Sequence, residues 1–160
     1  MSIHNQFIRD SSGNLSSPGL ANVGAFCTVE IHVPPQIAQI LANRGQPIPQ
    51  CVTGIALIDT GASSTCVHQP ILQGLGLNPV GIVNAGTPGG PTQRNVYPVR
   101  IMCPTQRWTL DVGRAMGVDL TGQIVNIVPP VPIIALLGRD LLQHWVFIYN
   151  GPGGFWTIST

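Results

Sequence analysis

Six acidic residues punctuate the chain, Asp10, Glu30, Asp59, Asp111, Asp119 and Asp140, and one of them is placed unlike the rest. Asp59 follows the apolar run Ile55-Ala56-Leu57-Ile58 and opens Asp59-Thr60-Gly61-Ala62-Ser63. Such a run reads as a strand buried on both faces, so a carboxylate is delivered where a buried strand ends. Thr60 can hydrogen-bond locally, and Gly61 lets backbone approach the carboxylate. An Asx-turn at a strand end would use the same residues, and a bare Asp-Thr-Gly does not separate the two readings. Other chemistries have weaker footing. His4, His32, His68 and His144 lack close ligand spacing, so no metal is expected. Ser63 and Ser64 have no Gly-x-Ser-x-Gly elbow to expose them. Cys27, Cys51, Cys66 and Cys103 form no C-x-x-C pair and are expected as free, mostly buried thiols.

The elements that must position Asp59 are short and mostly extended. Cys27, Val29, Ile31 and Val33 alternate with Thr28, Glu30 and His32, a strand closed by Pro34-Pro35. Ile37, Ile40 and Leu41 have helical spacing within 36–43, with Gly45 as the stop. Cys51 to Ile58 and Thr65 to His68 read as strands on either side of the Asp59 turn, and 69–75 reads as a short helix. Gly81-Ile82-Val83 and 96–101 flank Ala85-Gly86-Thr87-Pro88-Gly89-Gly90-Pro91, the pattern of a hairpin with a Gly/Pro tip. Trp108 to Val112, Ile124 to Val128 and Ile133 to Leu137 are further strands. A helix is expected over 139–145 and a hairpin over 146–159. Residues 1–22, rich in Ser, Asn and Gly, read as an extended N-terminal arm, with the folded domain over 23–160.

Composition excludes several classes. The 160 residues suit one domain with a real core. Only 8% are charged, yet no apolar run approaches the roughly 18–20 residues of a spanning helix. The first residues lack a basic stretch followed by an apolar one, so a cytoplasmic protein with no membrane association is expected. A net charge of +1 and seven scattered Arg with no basic run speak against nucleic acid.

Three features combine: Asp-Thr-Gly-Ala after an apolar strand, a Gly-rich hairpin, and Ile133-Ile134-Ala135-Leu136-Leu137-Gly138-Arg139-Asp140 about 75–80 residues after the first apolar run. In this order they resemble the retropepsin-like aspartic proteases over about residues 23–160. The resemblance implies a mostly β, closed acid-protease barrel with one or two short helices and a flap hairpin. It implies an aspartic endopeptidase acting on polypeptide substrates with no cofactor. Asp59, Thr60 and Gly61 would be catalytic, and Ala62, Ser63, Gly86, Thr87, Gly89 and Gly90 would contact substrate. Gly138 and Arg139 would be structural, Arg139 using Asp140, a backbone carbonyl or a partner-chain group. The flap would span about Val83 to Tyr97, and Ala56, Ile82, Val83 and Ile134 are candidate subsite walls.

Amide hydrolysis needs an activated water and a proton for the leaving amine. Two carboxyl groups sharing one proton supply both, because like charges in contact cannot both ionise. The chain has one Asp-Thr-Gly and no visible internal repeat. A second Asp59 must then come from another copy, which makes the expected assembly a C2 homodimer. The competing reading is a non-catalytic dimeric peptide-binding or dimerisation module of the same fold.

Overall fold

The computed structural model describes residues 3–87, 90–125, 127 and 129–159. Along the chain run β1 (Ile3–Phe7), α1 (Ser17–Val23), β2 (Phe26–His32), α2 (Pro35–Asn43), β3 (Val52–Ile58), β4 (Cys66–His68) and α3 (Gln69–Gly74). Then follow β5 (Gly81–Thr87), β6 (Gly90–Cys103), β7 (Trp108–Val118), β8 (Ile124–Val125), β9 (Val131–Leu137), α4 (Arg139–Leu142), β10 (Val146–Asn150) and β11 (Phe155–Ser159). The protein is mostly β, and the four helices among the described residues are short.

Six strands close into a barrel. The order β2-β3-β9-β4-β7-β6 returns on itself because β6 also pairs with β2, through Ile31↔Ile101 and its neighbours. Closure removes the open edges that a sheet of this size would otherwise expose. The alternation seen in the sequence fills the interior: Val29, Ile31, Val99, Ile101, Ala135 and Leu137 are fully buried or nearly so. Hairpin β5–β6 extends from the barrel as an antiparallel ribbon paired from Gly81↔Val96 to Thr87↔Gly90. α2 begins where Pro34-Pro35 ends β2, since proline suits a first helical turn, and ends before Gly45 at φ +65°.

Residues 3–22 differ from the extended arm expected of 1–22. β1 pairs antiparallel with β11, from Ile3↔Ser159 to Phe7↔Phe155, and β10 completes a three-stranded sheet in the order β1-β11-β10. α1 starts at a Ser16 cap whose Oγ accepts the Gly19 N–H at 3.0 Å, and it seats Leu20 with no exposed surface. The polar local composition concealed this order, because the strand that β1 needs lies at the other end of the chain. Strand β7 also runs on to Val118, past the expected Val112, while β8 is only two residues long. The proposed continuation of β8 through Asn126 and Val128 falls outside the described residues.

Candidate active site

Asp59 stands where two parallel neighbours end together. β3 and β9 pair with Ile58 opposite Leu137, and the Asp59 N–H extends the ladder by donating to the Leu137 carbonyl at 3.0 Å. The chain then turns sharply. Oδ1 of Asp59 accepts the N–H groups of Gly61 (2.9 Å) and Ala62 (3.2 Å), so the local Asx-turn and the presented carboxylate are one and the same structure. Thr60 and Gly61 are exposed, Asp59 and Ala62 half-buried.

The loop that follows β9 holds the Asp59 turn from the side. The Arg139 N–H donates to the Ala62 carbonyl at 2.9 Å. Its guanidinium Nη1 donates to the carbonyls of Thr60 (2.7 Å) and Gly61 (3.0 Å). Within the chain, Arg139 therefore uses backbone carbonyls and not Asp140. Gly138 is required at its position: a Cβ there would stand 2.5 Å from the carbonyl carbon and 2.7 Å from the carbonyl oxygen of Ser64. No side chain fits, so the β3 and β9 loops can approach this closely only through glycine.

Thr65 and Asp140 went unnoticed in the sequence as a pair. Wholly buried Thr65 donates its N–H to Asp140 Oδ2 (2.9 Å) and its hydroxyl to Oδ1 (2.8 Å), while its Oγ1 accepts the Gly138 N–H at 3.1 Å. Asp140 Oδ1 also accepts the N–H of Leu141 at 3.0 Å. One buried hydroxyl thus ties the end of the Asp59 loop to the start of α4, satisfying groups that burial would otherwise penalise.

A cleft of about 530 Å³ lies beside the turn. Gly61, Ala62, Ser63 and Ser64 form one wall and Val83, Asn84, Ala85 and Gly86 of β5 the facing one, so the hairpin and the Asp59 loop bound a single space. Val96, Met116 and Val118 add apolar surface, and Arg94 and Arg114 add two cations. Arg94 acts electrostatically on exposed Asp119. Arg114 takes part in none of the ion pairs among the described residues.

The expected contact residues divide. Gly61, Ala62, Ser63 and Gly86 line the cleft. Thr87 and Gly90 pair at the end of the hairpin, and Gly89 lies outside the described residues. Of the four apolar residues taken as subsite walls, only Val83 lines the space; Ala56 and Ile134 belong to the core, and Ile82 is 61% exposed. Tyr97, at the end of the expected flap, packs in the core with 1% exposure.

Cys66 is the cleft's thiol. Burial and the nearby carboxylates of Asp140 and Asp59 push it up to about 11, so it stays protonated and is a poor nucleophile near neutrality. No trio of His, Cys, Asp or Glu side chains converges on the Asp59 turn among the described residues. Asp59 and Thr60 are not among the residues lining this cleft, whose wall on this side begins at Gly61.

No protein-family model matches the chain, and no curated protein matches it. Among solved structures it is similar to a retropepsin-like aspartic protease from Rickettsia conorii, at 13% identity over 98% of this chain and 91% of that chain, with a TM-score of 0.44. A superposition this loose leaves the chemistry of the site to be argued from its own residues.

Proposed function

We propose that the protein is an aspartic endopeptidase whose catalytic pair is Asp59 of two copies of the chain. The observation that carries this reading is the Asp59 turn itself. A carboxylate is fixed by two N–H donors at the end of a buried strand, beside a cleft faced by a hairpin. Thr60 and Gly61, the exposed residues of the turn, are the surface through which a second turn would meet it. One carboxyl protonated and one ionised would hold a water between them. The ionised group takes a proton from water as the water oxygen adds to the peptide carbonyl carbon, and the protonated group donates its proton to the carbonyl oxygen. The resulting diol collapses with proton return to nitrogen and cleavage of the C–N bond. Thr60 would bond across the axis, and Gly61, Ala62, Ser63 and Gly86 would contact an extended peptide, as would Thr87, Gly89 and Gly90 at the hairpin tip.

The terminal sheet supports the assembly. The β1-β11-β10 register puts Ile3, Phe7, Phe155, Val146 and Ile148 on one face with the polar Asn5, Thr157, Ser159 and Asn150, and Ile3, Phe7, Val146 and Ile148 are 45–65% exposed. The exposed apolar side chains of this mixed face are costly in water and would be covered by a second copy. Incubation of a peptide library with wild type and with Asp59→Asn tests the reading. Cleavage by the wild type alone is expected, and equal turnover by both overturns it.

A further inference from the structure

On the far side of β2 from the barrel interior, the strands lay their residues out in rows. The β2–β6 register sets His32 opposite Arg100, and the β6–β7 register sets Arg100 opposite Asp111. The β2–β3 register pairs Ile31 with Val52, so Cys51 falls one step further, beside His32. Glu30 and His32, two apart on one strand, share a face. Nε2 of His32 and Oε2 of Glu30 lie 3.0 Å apart, and with Sγ of Cys51 all three donor atoms lie within 4.8 Å of one another. Each of these residues is half-buried.

We propose that Glu30, His32 and Cys51 form a binding site for a divalent metal ion of the zinc type, separate from the Asp59 cleft. Imidazole, thiolate and carboxylate together are a donor set that zinc accepts and that magnesium and calcium do not prefer. Separations of this size bring all three donors within reach of one tetrahedral ion with small side-chain adjustments. Charge favours it too: one thiolate, one carboxylate and a neutral imidazole balance a dication. The cation next in the row does not oppose it, because Arg100 is held by Asp111 through Nε–Oδ1 (2.7 Å) and Nη2–Oδ2 (2.8 Å). A cavity of about 390 Å³, lined by His32, Arg100 and Met102 and by Ala38 and Gln39 of α2, adjoins the site at His32, while Glu30 and Cys51 do not line it. Local sequence spacing gave no hint of this, since Cys51 is brought to His32 only by the turn-back after α2.

Binding replaces the thiol proton of Cys51, which leaves to solvent as the S–metal bond forms, with no change of oxidation state. The experiment is titration of the reduced 160-residue chain with Co²⁺, followed by displacement with Zn²⁺. One Co²⁺ per chain is expected, with a thiolate-to-cobalt charge-transfer band that Zn²⁺ abolishes. Cys51→Ser should remove that band, and His32→Gln should weaken affinity at least about 100-fold, more than an outer-shell partner accounts for. Cys66→Ser should leave the band in place. Circular dichroism of each variant separates loss of a ligand from loss of fold. Absence of a thiolate band in the wild type, or its survival in Cys51→Ser, overturns the proposal. Neither result depends on peptidase activity.

Discussion

The guanidinium of Arg139 donates to the carbonyl oxygen of Thr60 at 2.7 Å, across 79 residues of sequence. With the second bond to Gly61 at 3.0 Å, one side chain holds the outer rim of the turn that carries Asp59. Arg139 touches no reacting atom in this account and acts as a positioning residue. Arg139→Ala should lower kcat about tenfold with little change in KM, the scale of a charge-assisted hydrogen bond at an exposed site. Peptide kinetics check the split. A rise in KM alone would place Arg139 in substrate binding.

Glycines of the two motifs should differ sharply in tolerance. A Cβ at Gly138 meets Ser64 backbone at 2.5 Å, whereas one at Gly86 meets nothing within 4 Å. Gly138→Ala should cost about 3 kcal/mol, because backbone on both sides must shift. Gly86→Ala should stay within about 0.5 kcal/mol of wild type. Urea unfolding midpoints of the two variants make the comparison directly.

Cleft charge should be readable in substrate preference. Arg94 and Arg114 line the same space as Ser63 and Val83. Peptides with Glu facing these cations should have kcat/KM about fivefold above their Lys counterparts at low salt, as expected of a solvent-exposed ion pair. The preference should shrink as salt rises and be lost in Arg114→Glu, where the new carboxylate offsets Arg94. Kinetics on matched Glu and Lys peptides decide it.

The thiol beside the cleft should be slow to react. With Cys66 at about 11, its thiolate fraction at neutral pH is about 100-fold below that of a thiol with the ordinary value near 9. Alkylation by iodoacetamide at pH 7, followed by mass spectrometry, should therefore be about 100-fold slower at Cys66 than at such a reference thiol. Linkage carries the same sign into stability. The unfolded chain loses this proton at lower pH than the folded one, so the contribution of Cys66 falls as pH rises above about 9.

What could be read from the sequence was what is encoded locally. The run Ile55–Ile58 ending in Asp59 announced a buried strand and its polar turn, and Pro34-Pro35 with Gly45 bracketed α2 closely. Gly138 was marked by its place between an apolar run and Arg139, although the reason for glycine there, the Ser64 backbone, is tertiary. The Thr65–Asp140 bonds left no trace, since nothing near either residue signals a partner 75 positions away. β1 was hidden for the same reason: five residues of weak alternation become a strand only against β11. Ala56 and Ile134 were misplaced as subsite walls because an apolar residue near the Asp-Thr-Gly or Gly-Arg-Asp motif reads alike whether it faces the core or the cleft.

The central claim is that two Asp59 carboxyl groups act together. Wild-type and Asp59→Asn chains, unfolded and refolded together at fixed total concentration, test it by peptidase activity against the wild-type fraction. Random pairing predicts that activity follows the square of that fraction, with equal mixing leaving about one quarter of the wild-type rate. A linear fall, with half the activity remaining at equal mixing, would mean that a single chain suffices and would contradict the account.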